Sequence, residues 1–247
     1  MREWMSGRNP VYETLRAGRR HCFRLMVAQG TREKGRLAEI LHIAQHKRIL
    51  VEQAPRARLD ATGDGHQGVS LEVSAYPYCA LQDILALAEG RSESPFMLIL
   101  DALQDPQNLG TLLRTAEGVG VHGVLLPLRH TVTVTPAVVS ASSGACEHLL
   151  IAPVNLAQAI HTLKDAGVWV VGLEGGGQAE RINRARLDGP LALVVGSEGQ
   201  GMRSLTRDSC DVLVQLPMRG QVDSLNAAVA GSIALYLAWQ ARKFDAG

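Results

Sequence analysis

Leu191-Ala192-Leu193-Val194-Val195-Gly196 carries no polar side chain, and the chain turns on either side of it, at Gly189-Pro190 and at Ser197-Glu198-Gly199. A strand with one face in water alternates apolar and polar residues; a continuous apolar run buries both faces, as strands of a parallel sheet do. Four more runs share this character: Phe96-Met97-Leu98-Ile99-Leu100, Gly123-Val124-Leu125-Leu126, Val168 to Leu173 and Val212 to Leu216. Helical stretches separate them, at 109–119, 156–166 and from Leu225 to Lys243. Residues 96–247 therefore predict an α/β domain, a helix-covered parallel sheet of about five or six strands.

Upstream of this sheet, Glu89-Gly90-Arg91-Ser92-Glu93-Ser94-Pro95 is polar and ends in proline, the composition of a linker. Residues 1–77 alternate in smaller elements. Asn9-Pro10 followed by Val11 to Gly18 has the N-cap, early proline and glycine stop of a helix at 10–17. Strands are expected at 23–28, 49–51 and 69–74, a helix at 32–45, and turns through Ala61–Gly68. The predicted organisation is a small α/β domain at 1–77, a linker at 78–95 with room for one more helix at 80–88, and the sheet domain at 96–247.

The chain has 247 residues, 46% apolar and 20% charged, enough to bury a sizeable core. Its formal net charge of +1 argues against nucleic-acid binding through bulk positive charge. The total hides an asymmetry: residues 1–58 hold 13 Lys/Arg against five Asp/Glu, a balance of +8, while residues 59–95 balance −5 and residues 96–247 balance −2. A basic head of this kind points to an acidic partner. No apolar run reaches the roughly 18 residues of a membrane span, and Met1-Arg2-Glu3-Trp4 opens without the apolar block of a signal peptide, so a cytoplasmic protein is expected. Cys22, Cys79, Cys146 and Cys210 lie far apart with no Cys-x-x-Cys pair, the pattern of reduced thiols rather than of a zinc site or disulfides. The histidines, His66 and His148 included, lack metal-ligand spacing, and no metal is predicted.

Common nucleotide motifs are absent. The first long strand runs into Ala102-Leu103-Gln104-Asp105-Pro106, not into Gly-x-Gly-x-x-Gly, and Gly175-Gly176-Gly177 follows a later strand, as a surface loop would. No phosphate loop, nucleophile elbow or His-Glu-x-x-His helix is present.

Three blocks remain, each just beyond a strand end, where ligands gather in open α/β sheets. The first runs from Asp101 through Asp105-Pro106-Gln107-Asn108-Leu109-Gly110 to Arg114 and Gly120; the second is Gly196-Ser197-Glu198-Gly199-Gln200-Gly201-Met202; the third runs from Leu216-Pro217-Met218-Arg219-Gly220 through Ser224-Leu225-Asn226 into the last helix. Each has a plain structural reading: Asn108 and Ser224 as helix caps, Asn226 as a helix-interior amide, Glu198 as a surface charge. In this order and spacing the three blocks resemble the motifs of the SpoU/TrmH family of RNA ribose 2′-O-methyltransferases, in the SPOUT class. The resemblance covers about 150 residues, and Ser140 to His148 is also similar to a family segment. Gly7-Arg8-Asn9-Pro10-Val11 and His66-Gln67-Gly68-Val69 resemble the substrate-binding domain of the branch that methylates a 23S ribosomal RNA guanosine.

The resemblance implies a deep trefoil knot in the C-terminal domain, an S-adenosylmethionine pocket in the knot, a homodimer, and RNA, foremost 23S rRNA, as partner. It places Gly196, Leu216, Met218 and Leu225 at the cofactor and Asn108, Arg114, Glu198, Ser224 and Asn226 at the chemistry. Methyl transfer from a sulfonium to a ribose hydroxyl expels a neutral thioether, so the demand falls on removing or polarising the hydroxyl proton. The family's proposed base corresponds to Arg114; arginine has a pKa above about 12, and electrostatic stabilisation of the forming alkoxide meets the same demand. A transfer-RNA ribose methylase and a catalytically silent RNA-binding or ribosome-assembly factor are the alternatives.

Overall fold

The computed structural model describes residues 2–175, 179–222 and 224–244. In chain order its elements are β1 (Arg2–Ser6), α1 (Arg8–Ala17), β2 (Cys22–Ala28), α2 (Arg36–His46), β3 (Leu50–Ala54), α3 (Arg56–Asp60), β4 (Val69–Ser74), α4 (Leu81–Gly90), β5 (Phe96–Leu100), α5 (Pro106–Gly118) and β6 (Gly123–Pro127). There follow α6 (Pro136–Ala141), β7 (Leu150–Val154), α7 (Leu156–Asp165), β8 (Trp169–Leu173), β9 (Glu180–Arg181), β10 (Leu191–Val195), α8 (Ser204–Ser209), β11 (Val212–Gln215) and α9 (Ala227–Ala241). The chain forms two compact units, Met1–Pro77 with Thr133–His148, and Tyr78–Val132 with Leu149–Gly247.

The first unit is built on a four-stranded sheet of order β1-β4-β2-β3, with β4 antiparallel to β1 and β2, and β2 parallel to β3. Helix α2 buries Leu37, Ile40 and Ala44, a stripe at helical spacing. Both early helices start where glycine lets the chain turn: α1 at Arg8 after Gly7 (φ 99°), ahead of the expected Pro10, and α2 at Arg36 after Gly35 (φ 57°), four residues past the expected start.

The stretch Thr133–His148, expected within the sheet domain, packs in this first unit. Buried Arg20 explains the attachment. Its guanidinium donates to Glu147 Oε1 at 2.7 Å and Oε2 at 3.0 Å, to Glu3 Oε2 at 2.8 Å and to the Ser74 carbonyl at 3.1 Å. Burial lowers the Arg20 pKa, but Glu147 and Glu3 outweigh it and hold the group above its ordinary value. Tyr76 Oη donates to the Cys146 carbonyl at 3.0 Å, and His148 Nε2 pairs with Glu13 Oε2 at 2.8 Å. A Cβ on Gly144 (φ 88°) would lie 2.6 Å from Glu13 Cβ, so only glycine fits against α1.

The second unit is a seven-stranded sheet of order β7-β6-β5-β10-β8-β11-β9, parallel at every pairing. The five expected runs are all strands; the additional β7 and β9 are its two edges. Pro153 sits in β7, which an edge strand tolerates because one side of its backbone needs no donor. The helix expected at 80–88 forms as α4 within residues 78–95, and its Leu81 and Ile84 enter the core with Met97, Ile99, Val170 and Val194. Helix α9 lies so close to α5 that a Cβ on Gly231 would come within 2.6 Å of Leu112 Cδ2. Among the described residues no helix is long and apolar enough to cross a membrane.

Candidate active site

The carboxyl ends of β8, β10 and β11 open into a cleft of about 810 Å³ in the second unit. Its floor is Leu173, Val195 and Gln215, the last residues of these strands; its walls are the turn 196–201, the segment following β11 and the start of α9. Gly196, Leu216, Met218 and Leu225, which the resemblance assigns to a cofactor, all line it, as do Glu198, Ser224 and Asn226. Gly196 is buried, Leu216 half-buried, and Met218, Ser224 and Leu225 are exposed.

The turn from Ser197 to Gly201 closes on itself. Ser197 N–H donates to the Gly201 carbonyl and Gly201 N–H to the Ser197 carbonyl, both at 3.0 Å. Gly199 and Gly201 have φ of 77° and 67°, the left-handed region glycine enters without steric cost. A Cβ on Gly196 would lie 2.2 Å from the Gly201 carbonyl carbon and 2.3 Å from the Met202 nitrogen. The missing side chain makes room for the protein's own backbone at Gly201 and Met202.

At the tip of this turn three polar side chains from three elements meet. Asn226 caps α9, its Oδ1 accepting from Ala228 N–H at 2.9 Å and Val229 N–H at 3.1 Å. That use of the oxygen turns Nδ2 outward, where it donates to Asn108 Oδ1 at 3.1 Å and to Glu198 Oε1. Asn108 Nδ2 donates to the same Glu198 oxygen at 3.0 Å. Both amide nitrogens thus converge on one Glu198 oxygen, which accepts from each and ties the turn to α5 and to the start of α9.

The structure corrects the capping expectations. Asp105, not Asn108, caps α5, accepting from Gln107 N–H at 3.0 Å, and Asn108 lies buried in the helix at its third residue. Asn226, not Ser224, caps α9. Arg114 is exposed on α5, six residues after Asn108. Gly175, expected in a surface loop, lines the cleft; Gly176 and Gly177 lie outside the described residues. Glu174, Arg181 and Gln215 also line it and were not foreseen; their positions at or just past strand ends were the available signal.

Among the described residues no three His, Cys, Asp or Glu side chains converge as metal ligands. Among the described residues no disulfide forms, and burial pushes the Cys146 and Cys210 thiols up to about 12, far from nucleophilic use at neutral pH.

The SpoU rRNA Methylase family model matches residues 95–236, and the RNA 2′-O ribose methyltransferase substrate-binding model matches residues 4–79. YacO of Bacillus subtilis (strain 168), assigned to the TrmH family of tRNA/rRNA methyltransferases, is 43% identical over 244 residues, 97% of this chain and 96% of its own. The AdoMet-bound rRNA methyltransferase of Sinorhizobium meliloti is similar in fold, with a TM-score of 0.79 and 24% identity over 97% of this chain and 87% of its own. The TrmH/SpoU tRNA modifying enzyme of A. aeolicus has a TM-score of 0.56 and 23% identity, covering 66% of this chain and 84% of its own.

Proposed function

The chain belongs to the SpoU methylase family of RNA methyltransferases, and from that premise we propose that it transfers the methyl group of S-adenosylmethionine to a ribose 2′-OH, of a guanosine in 23S rRNA. The observation that carries the substrate class is the first unit. The S. meliloti rRNA enzyme matches nearly the whole chain, whereas the A. aeolicus tRNA enzyme matches two thirds, and residues 4–79 carry the substrate-binding match.

The fit of the methyl donor rests on the cleft itself: strand-end backbone at Gly196 and Leu216, the apolar Met218 and Leu225, and a volume of about 810 Å³ suited to a nucleoside-sized ligand. The Glu198 carboxylate at its rim complements a cationic sulfonium and orients the two amides. Strand β11 pairs with β8 beyond β10, an order compatible with the trefoil knot the family resemblance implies. Arg114, exposed on α5, is assigned to the RNA side, where a fixed cation stabilises the forming alkoxide.

The homodimer belongs to the same reading. Helix α9 carries Val229, Ile233 and Tyr236 on its outward face, 45%, 40% and 51% exposed, an apolar stripe suited to a second copy. The basic head is smaller than its count. Of 13 cationic residues in 1–58, Arg2, Arg16, Arg20, Arg24, Arg36 and Arg58 are ion-paired within their own unit, so the salt dependence of RNA binding should reflect only a few phosphates.

The deciding experiment treats unmodified 23S rRNA and tRNA with purified protein and labelled S-adenosylmethionine, followed by mass spectrometry of the digested nucleosides. Expected is 2′-O-methylguanosine in 23S rRNA, lost in Arg114→Ala while the fold persists. Label in tRNA alone would move the assignment to the transfer-RNA reading; no S-adenosylmethionine binding by calorimetry would support the silent factor.

A further inference from the structure

Asp101 is a carboxylate with no exposed surface, standing at the end of β5, and its side chain faces Arg203 from a residue 102 positions away. Arg203 Nε donates to Asp101 Oδ1 at 2.7 Å, its backbone N–H donates to Oδ2 at 2.9 Å, and Nη2 lies 2.5 Å from Oδ1. The Asp101 backbone is held as well, its N–H donating to the Val195 carbonyl at 2.8 Å at the end of β10. Ala102 then turns the chain at φ 61°, an unfavourable conformation for a residue with a Cβ. Leu103 is fastened behind it by bonds from Val132 N–H at 2.8 Å and Thr131 Oγ1 at 2.9 Å.

These contacts close a circuit. From Asp101 the chain runs forward to Asn108; from Arg203 it runs back to Glu198; and the far points touch, Asn108 to Glu198, at 3.0 Å. The two loops are thus joined at their tips by the amide and carboxylate and at their roots by the ion pair. The root contact is the one with charge on both sides and both carboxylate oxygens engaged, the arrangement that fixes geometry most tightly. We propose that Asp101 and Arg203 are a positioning pair that sets the register of the Glu198 turn against the Asn108 helix. The proposal rests on the methyl-transfer reading for its catalytic consequence, though not for its structural one.

Two measurements test it on the full chain. Amide hydrogen exchange at Ser197 and Gly201 needs no substrate; with Arg203→Ala, whose side chain is 47% exposed, exchange at both should accelerate about tenfold or more while β5 and β10 keep their protection. Methyl transfer by the same variant should lose kcat about ten- to hundredfold, as for a sub-ångström to 1 Å displacement of reacting groups, with KM for RNA nearly unchanged. Arg203→Lys, which keeps the charge and the backbone donor, should recover part of both. Asp101→Asn, which sets an amide N–H against an arginine donor, should behave as Arg203→Ala or worse. Wild-type exchange and kcat in Arg203→Ala overturn the proposal, as does loosening spread evenly over β5 and β10. If the wild-type protein moves no methyl group but Arg203→Ala still frees the turn, the functional reading fails and the positioning pair stands.

Discussion

In the first unit Arg20 lies buried between Glu3 and Glu147, and Glu72, itself buried, takes Arg24 at 2.8 Å and Arg2 at 3.5 Å. In the second, β5, β6 and β10 bury apolar side chains on both faces, and the buried carboxylate among the described residues is Asp101, just past the end of β5. Apolar contacts are graded, whereas a buried charge must find a charge or hydrogen-bond partner. The first unit therefore spends its specificity on attaching a distant segment, and the second on holding two loops of its site.

That contrast can be broken most forcefully at Glu147. Glu147→Ala leaves the Arg20 guanidinium buried without its bidentate partner and should cost about 3–5 kcal/mol, read by denaturant titration at Trp4, the tryptophan of that unit; a loss under about 1 kcal/mol would mean the pair is ornamental. Next is Gly196→Ala, where the new methyl meets backbone 2.2 Å away. It should destabilise by about 1–3 kcal/mol through overpacking and abolish S-adenosylmethionine binding in calorimetry. By contrast Ile99→Val, in the centre of the apolar sheet, should cost only about 0.5–1.5 kcal/mol. A larger loss would show that the second unit is as exacting as the first.

The smallest effect is one of pH. Burial lowers the His122 pKa, partly offset by Glu93, and the neutral ring accepts from Phe96 N–H at 3.0 Å and faces Glu93 at 2.8 Å. Because the folded value is depressed, the unfolded chain takes up the proton first as pH falls below about 6.5. His122 therefore adds stability above that pH and gives it back below, at no more than about 1.4 kcal/mol per pH unit. His122→Gln should flatten the stability profile between pH 7 and 5.5.

The sheet of the second unit was legible because fully buried parallel strands leave continuous apolar runs; β7 was not, since Pro153 interrupts it and only its edge position explains the exception. The three site blocks were legible as clustered glycines and amides at strand ends. Their inner logic was not: Asn108 and Asn226 have the same side chain, and only coordinates tell which one caps a helix. The attachment of Thr133–His148 was hidden for a different reason. Neither Arg20 nor Glu147 has a local pattern that signals burial, and their pairing spans 127 positions.

That span has a meaning in time. A ribosome adds roughly 5–20 residues per second, so Arg20 waits on the order of 6–25 seconds after its own synthesis before Glu147 exists. Through that interval residues 1–77 are complete in sequence yet lack the carboxylate that neutralises their interior, while β5 and β6 are being made. The N-terminal unit is thus first to be synthesised and among the last to be finished, and a nascent chain halted near residue 130 should expose it to proteases that the full-length protein resists.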